Sequence, residues 1–229
     1  MNQIVTTGIV LGRINYGEAD RIITVLTPDQ GKLRLMAKGV RRPKSKLAGG
    51  IELFSVSQIT FVRGKGDIGT LVSTRLSKHY GTIVGHIDRV QLGYDLIKQL
   101  DKQTEDEPEQ GYYDLLQQAF AALDDSTIDA GLVRVWFAAQ LLRLGGIGPN
   151  LVTDVSGKKL TAANRYEFSF DDDAFFAREG GAFDANDIKL MRLLFSANLP
   201  STLAKVANTS EIIARIQQLV LLWQQQYIH

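Results

Sequence analysis

Residues 31–46 read Gly-Lys-Leu-Arg-Leu-Met-Ala-Lys-Gly-Val-Arg-Arg-Pro-Lys-Ser-Lys, placing Lys32, Arg34, Lys38, Arg41, Arg42, Lys44 and Lys46 together with no acidic residue among them. The first half alternates. Leu33, Leu35 and Ala37 fall on one side and Lys32, Arg34, Met36 and Lys38 on the other, the pattern of a half-buried strand with outward cations. Residues 39–46 hold Gly, Pro and Ser without apolar periodicity, so a loop is expected that carries further charge off the sheet edge. Such a surface suits a phosphate backbone, although a basic run of this size is equally compatible with a merely solvated face.

The rest of the chain favours the first reading. Residues 1–80 hold 13 Lys and Arg against 5 Asp and Glu, a net of +8, whereas residues 81–229 hold 13 against 20, a net of −7. The near-neutral total of +1 therefore conceals a segregation: one half should attract nucleic acid through counterion release, and the other should repel it and suit a different partner.

Working outward from the basic segment, residues 4–11, 21–27, 52–63 and 68–76 are apolar, rich in β-branched residues and separated by turn signals, so with the basic strand they make five. Five short strands predict a small closed barrel, which removes exposed sheet edges. After Tyr80 the spacing turns helical, with Ile83, Ile87, Val90, Tyr94, Ile97 and Leu100 in a three-and-four rhythm. A polar linker over 103–110 precedes helices expected at 112–123, 128–144, 187–197, 201–207 and 210–227, with Ser126 and Asp129 as a capping pair for the second. The expected class is α+β: a five-stranded closed barrel over 1–80, then an all-helical domain over 81–229 with an irregular segment at 150–181.

Several chemistries are excluded or disfavoured. The absence of cysteine rules out disulfides, thiolate catalysis and cysteine-ligated zinc. Of three histidines, His79 and His86 lack acidic partners at ligand spacing, and Asp171, Asp172 and Asp173 lack the alternation of a calcium loop, so no metal or other cofactor is expected. Gly64, Gly66 and Gly69 match the spacing of a dinucleotide fingerprint, but strand follows them where a helix is required, so a hairpin turn is expected. No signal sequence or spanning segment is read, which predicts a soluble cytoplasmic protein without a membrane partner.

In order, the chain carries Thr7-Gly8-Ile9-Val10-Leu11, Tyr16-Gly17-Glu18-Ala19-Asp20-Arg21, Thr27 with residues 31–34, Ala37-Lys38-Gly39-Val40-Arg41-Arg42, Ser45-Lys46-Leu47, Leu53-Phe54 and Leu141-Leu142-Arg143-Leu144-Gly145 ahead of Pro149. This ordered set resembles the RecO family of bacterial recombination mediators, which implies that the barrel over 1–80 is a five-stranded oligonucleotide-binding (OB) fold joined to a helical partner-binding domain. Many members carry two Cys-x-x-Cys pairs that form a zinc site; the corresponding positions here are Thr153 and Ser156, then Asp184 and Asp187, so the chain is similar to the zinc-free branch.

The resemblance implies a non-enzymatic, nucleoid-associated protein of DNA repair, recombination and the RecF pathway, with no small-molecule substrate. It would bind single- and double-stranded DNA, anneal complementary strands and, with RecR, help RecA replace the single-stranded-DNA-binding protein. The sequence agrees in offering cations without a convergent nucleophile and base. Lys32, Arg34, Lys38, Arg41, Arg42, Lys44 and Lys46 would neutralise phosphates, and Tyr16, Phe54 and Phe61 are stacking candidates, the two phenylalanines being better explained as core. The resemblance also places Arg134, and more weakly Arg143, against the acidic, apolar tail of the single-stranded-DNA-binding protein; by themselves both arginines would be read as ion-pair formers. Two other classes stay open: an RNA-binding or RNA-chaperone barrel with a protein-interaction domain, because counterion release does not distinguish RNA from DNA, and a nucleotide-using enzyme resting on residues 64–69.

Overall fold

The structure is a computed structural model that describes residues 2–64, 66–104 and 110–227. Most of the expected polar linker (105–109), Lys65 and His229 lie outside the described residues. Two compact units result, Met1–Asp125 and Ser126–His229.

In the first unit, strands β1 (Gln3–Tyr16), β2 (Asp20–Leu26), β3 (Lys32–Ala37), β4 (Ser55–Val62) and β5 (Ile68–His79) close a barrel in the order β1-β2-β3-β5-β4, with β4 paired back onto β1. The described pairings are antiparallel except β3 with β5, which run parallel over Arg34–Ile68, Leu35–Gly69 and Met36–Thr70. This is the expected OB fold. The alternation of β3 holds residue by residue: Leu33, Leu35 and Ala37 are buried with Val10, Ile23, Val25, Ile59, Phe61 and Leu71, while Arg34 is exposed. Arg63, Gly64, Gly66 and Asp67 lie between the antiparallel strands β4 and β5, where the hairpin turn is expected.

Helices α1 (Gly81–Val84), α2 (Ile87–Gln103) and α3 (Gln110–Asp124) belong to the same compact unit. The three-and-four rhythm expected from Ile83 to Leu100 does not hold in its first half. Gly85 and His86 break the helix, so Ile83 is buried on α1 while Ile87 opens α2 with 87% exposure. The buried stripe of α2 is instead Arg89, Leu92, Gly93, Leu96, Ile97 and Leu100. Arg89 takes a core position because its Nη1 donates to the carbonyls of Leu123 (2.7 Å) and Asp125 (3.1 Å), satisfying groups at the C-terminal end of α3. Phe54, at φ 57°, seats its ring edge-on to Tyr94 and Phe120 at 5.5 and 5.4 Å, joining barrel and helices.

This division relocates the acidic half. Residues 81–125 hold 3 Lys and Arg against 10 Asp and Glu, whereas residues 126–229 hold 10 against 10. The whole negative excess thus lies on the segment that shares a unit with the cationic barrel, and the second unit is neutral.

The second unit is built around α4 (Ala130–Leu144), which is buried on nearly every side from Leu132 to Leu142. Its N-cap is Asp129, whose Oδ1 accepts from the backbone N–H of Leu132 at 2.9 Å, so the helix starts later than the expected Ser126 cap would set it. Helix α7 (Thr209–Tyr227) packs along it, with α5 (Ala185–Leu194) and α6 (Pro200–Leu203) completing the helices. The segment at 150–181, expected to be irregular within an all-helical domain, forms a three-stranded sheet ordered β6 (Asn150–Asp154), β8 (Ala174–Ala177), β7 (Tyr166–Ser169). Its Phe168 and Phe175 stack edge-on at 5.1 Å, and Phe168 meets Trp223 of α7 at 4.9 Å, an aromatic cluster that supplies a core. Asp171, Asp172 and Asp173 form the turn between β7 and β8.

The positions of the family's zinc cysteines do not fit a metal. Asp184 caps α5 and shares a reciprocal capping box with Asp187, whose buried Oδ1 accepts from Arg215 Nη2 at 2.7 Å. Burial raises the Asp184 pKa, but the backbone N–H groups of Asp187 and Asn186 and the Arg215 charge outweigh it, and the net shift is downward. Thr153 is bonded by Asn150 Nδ2 at 2.8 Å, and Ser156 donates to Asp154 at 2.7 Å. These groups are committed to caps and turns, and no cluster of three or more His, Asp or Glu placed to hold a metal occurs among the described residues.

Candidate nucleic-acid interface

The period-two rule sends Arg34 outward from β3 beside Thr24 of β2, and one row further along sends Met36 outward beside Ile22, which in turn pairs with Ile14 of β1. Ile14 is 66% exposed, and Ile22 and Met36 are half-buried. An aliphatic row therefore crosses the outer barrel face, with Arg34 and Lys38 two residues to either side of Met36. Tyr16, at the end of β1, is 55% exposed; Phe54 and Phe61 are buried in packing roles, so of the three stacking candidates only Tyr16 is available to a ligand.

The basic loop after β3 is more ordered than its composition suggests. Gly39 adopts φ +65°, which an L side chain resists, and its N–H donates to Asp20 Oδ1 at 2.7 Å. The Arg41 N–H donates to the Ala19 carbonyl at 2.9 Å and its Nη1 to the Gly17 carbonyl at 3.3 Å, tying the loop to the β1–β2 turn. Val40 is buried in the barrel core, and Leu47 packs against the same core. The sequence pattern missed these two anchors because single apolar residues in a Gly- and Pro-containing loop show no period. Between them Arg41, Arg42, Lys44 and Lys46 stay exposed.

The seven candidate cations are not equivalent. Lys32 is half-buried, and its Nζ donates to the Asp101 carbonyl at 2.9 Å and pairs with Asp101 Oδ1 at 3.2 Å. The other six, Arg34, Lys38, Arg41, Arg42, Lys44 and Lys46, are exposed and form no ion pair with a described residue. Arg63, absent from the sequence-derived set, joins Arg34 at a cavity beside the β4–β5 hairpin; its isolated position in the sequence gave no signal.

Arg134 and Arg143 both lie on α4, Arg134 half-buried and Arg143 exposed, with Arg143 Nε donating to Gln140 Oε1 at 2.9 Å. Their separation corresponds to about two and a half turns, which puts them on opposite sides of the helix. The two do not converge on one ligand group. No helix among the described residues is long and apolar enough to cross a membrane.

Comparison with known proteins gives these features a context. Residues 1–80 match the family described as Recombination protein O N terminal, and residues 99–229 match Recombination protein O C terminal. DNA repair protein RecO of Halalkalibacterium halodurans is 31% identical over 150 residues, 65% of this chain and 58% of the relative. DNA repair protein RecO of Moorella thermoacetica is 34% identical over 145 residues, 63% and 53%, and that of Dehalococcoides mccartyi 27% over 220 residues, 93% and 85%. The chain thus spans less than two thirds of the first two relatives and most of the third. The first match coincides with the barrel and the second runs from the latter part of α2 to the end of the chain; with both halves recognised in order, the chain belongs to the RecO family.

Proposed function

We propose that the chain is a DNA repair and recombination mediator whose barrel binds single- and double-stranded DNA and anneals complementary strands. The observation that carries this reading is the open cationic face: six exposed Lys and Arg side chains on β3 and its following loop, none ion-paired to a described residue. Cations without an ion-pair partner are available to displace counterions from phosphates, and they bring two like-charged strands together without reading sequence. The aliphatic row of Ile14, Ile22 and Met36 gives unstacked bases an apolar surface within reach of those charges, and this favours single strands as the tighter ligand. Membership of a family whose relatives are DNA repair proteins supports the same reading.

The remainder of the chain is assigned to partners. In this reading RecR and the tail of the single-stranded-DNA-binding protein engage residues 81–229, with Arg134 receiving the tail's terminal carboxylate and Arg143 a separate acidic group, and the complex helps load RecA onto coated DNA. No bond is made or broken. The test is annealing of complementary strands coated with their cognate binding protein, run across a salt series with and without RecR. Annealing that falls steeply with salt and is accelerated by RecR is expected; annealing indifferent to salt, or stronger competition by RNA than by single-stranded DNA of equal length, overturns the assignment.

A further inference from the structure

At the start of β3, opposite the end that leads into the basic loop, the barrel holds a cavity of about 420 Å³. β3 and β5 pair over only three positions, Arg34 to Met36, so the two strands part beyond Arg34 and Ile68 and leave an opening. The inner wall is formed by core residues, Leu35 and Phe61 among them, and the rim carries Arg34, Arg63 and Asp67. Lys32 also reaches the rim but is already matched by Asp101. Arg34 has no ion pair with a described residue, and the one described partner of Arg63 is neutral, Gln30 Oε1 at 3.0 Å. Gly64, Gly66 and Gly69 border the same space and lead into strand, so among the described residues anion contacts here fall to the two guanidiniums rather than to a helix N-terminus.

Size and lining narrow the ligand. The volume lies in the range of small-molecule sites, about 300–1,000 Å³, and exceeds what an inorganic anion fills. A purely apolar ligand makes no use of the two rim guanidiniums, and a simple anion makes none of the apolar wall or the Asp67 carboxylate. A nucleotide satisfies all three elements, with phosphate for Arg34 and Arg63, a ring for the wall, and amino or hydroxyl donors for Asp67. We propose that this cavity takes one nucleotide unit, a nucleoside monophosphate that is free, at a strand end, or turned out of a strand lying along β3. The strand-borne sources rest on the function proposed above. Lys32 to Ala37 spans about 17 Å at the usual rise, so a strand held by the basic loop has several nucleotides in which to reach the cavity.

The probe is deoxyadenosine monophosphate, titrated into the full chain and followed by amide chemical shifts. Shifts at Arg34, Arg63, Gly66 and Gly69 are expected, with binding at least tenfold weaker for deoxyadenosine or inorganic phosphate alone. A Cβ on Gly66 would meet nothing within 4 Å and its φ is not in the left-handed region, so Gly66→Phe fills the mouth without strain. Gly66→Phe and Arg63→Gln, each with an unchanged unfolding midpoint, should each weaken the mononucleotide at least tenfold. Competition by linear but not circular single strands assigns the site to strand ends, competition by both assigns it to internal nucleotides, and competition by neither assigns it to free nucleotide. Shifts elsewhere, or equal binding by both variants and the unaltered chain, overturn the inference. A chain that binds oligonucleotides but not the mononucleotide defeats the cavity alone; one that binds neither defeats the proposed function as well.

Discussion

Gly93 lies directly against Phe54: a Cβ on this residue of α2 would stand 2.5 Å from Cε1 of the ring, with Cζ at 3.1 Å. Phe54 ends the loop that leads into β4, so the contact is where the barrel meets the helices of its own unit. Gly93→Ala would improve helix propensity by up to about 1 kcal/mol. The ring is held by Tyr94 and Phe120 and cannot step aside, so overpacking of about 1–3 kcal/mol dominates. A net loss of stability is expected in urea unfolding, and a stabilised variant would contradict the packing described.

Under the proposed function, salt dependence counts the phosphates that the cationic face would engage. Six open cations at about 0.7 counterions each give a limiting slope of about −4 for log K against log salt on single strands. Lys44→Ala and Lys46→Ala should each flatten it by a little under one unit, and Arg41→Glu with Arg42→Glu should abolish annealing while leaving binding of an acidic tail peptide intact. Joint loss of both activities in a folded protein would refute two separate surfaces.

Lys32 and Arg34 are neighbours on one strand face with unequal freedom. Because Asp101 already pairs with Lys32, Lys32→Ala should cost several-fold less DNA affinity than Arg34→Ala at equal salt. Asp101→Asn, which removes the charge opposite Lys32 but keeps the backbone carbonyl it donates to, should tighten binding measurably. Fluorescence anisotropy on one labelled oligonucleotide separates these outcomes.

Tyr80 sits fully buried at the start of the helices, and burial, followed by the charges of Tyr113 and Asp124, raises its pKa to about 12. The unfolded chain ionises near pH 10, so between about pH 10 and 12 the unfolded state binds fewer protons and stability falls as pH rises. Burial also raises Tyr113, adding to the same slope. Tyr80→Phe should remove up to about 2–3 kcal/mol of that alkaline loss, read as a flatter dependence of denaturant midpoint on pH.

Asp187 is buried, accepts from Arg215 and closes the cap of α5. Asp187→Ala should destabilise the second unit by about 2–4 kcal/mol through the lost cap and pair. Acid should weaken the same cap: the lowered Asp184 pKa means its contribution is present above the ordinary carboxylate range and lost as pH falls through its folded value. Chelator should leave the unfolding midpoint unchanged, whereas a drop would reveal a metal that these residues do not explain.

The barrel was legible because alternation in β3 and its neighbours is a local signal, and each strand carried enough inward aliphatics to fix its phase. Helix α2 was legible in type but not in phase: the rhythm from Ile83 to Leu100 runs across a break at Gly85 and His86, and the buried Arg89 looks polar until the end of α3 is placed beside it. The exposed cations were readable as a run, while Arg63 was not, because it meets Arg34 through the register of β3, β4 and β5 rather than through sequence. The charge break at Tyr80 was real, yet only the fold shows that the segment carrying the acidic excess, which ends at Asp125, shares a unit with the barrel.

That last arrangement has a kinetic consequence. Counting described residues alone, a unit with +7 over 2–80 and −3 over 81–125 still carries an electric dipole. In the field of a polyanion such a body turns before it touches, presenting the barrel first and its acidic helices last, so productive encounters are enriched without the indiscriminate adhesion of a uniformly basic protein.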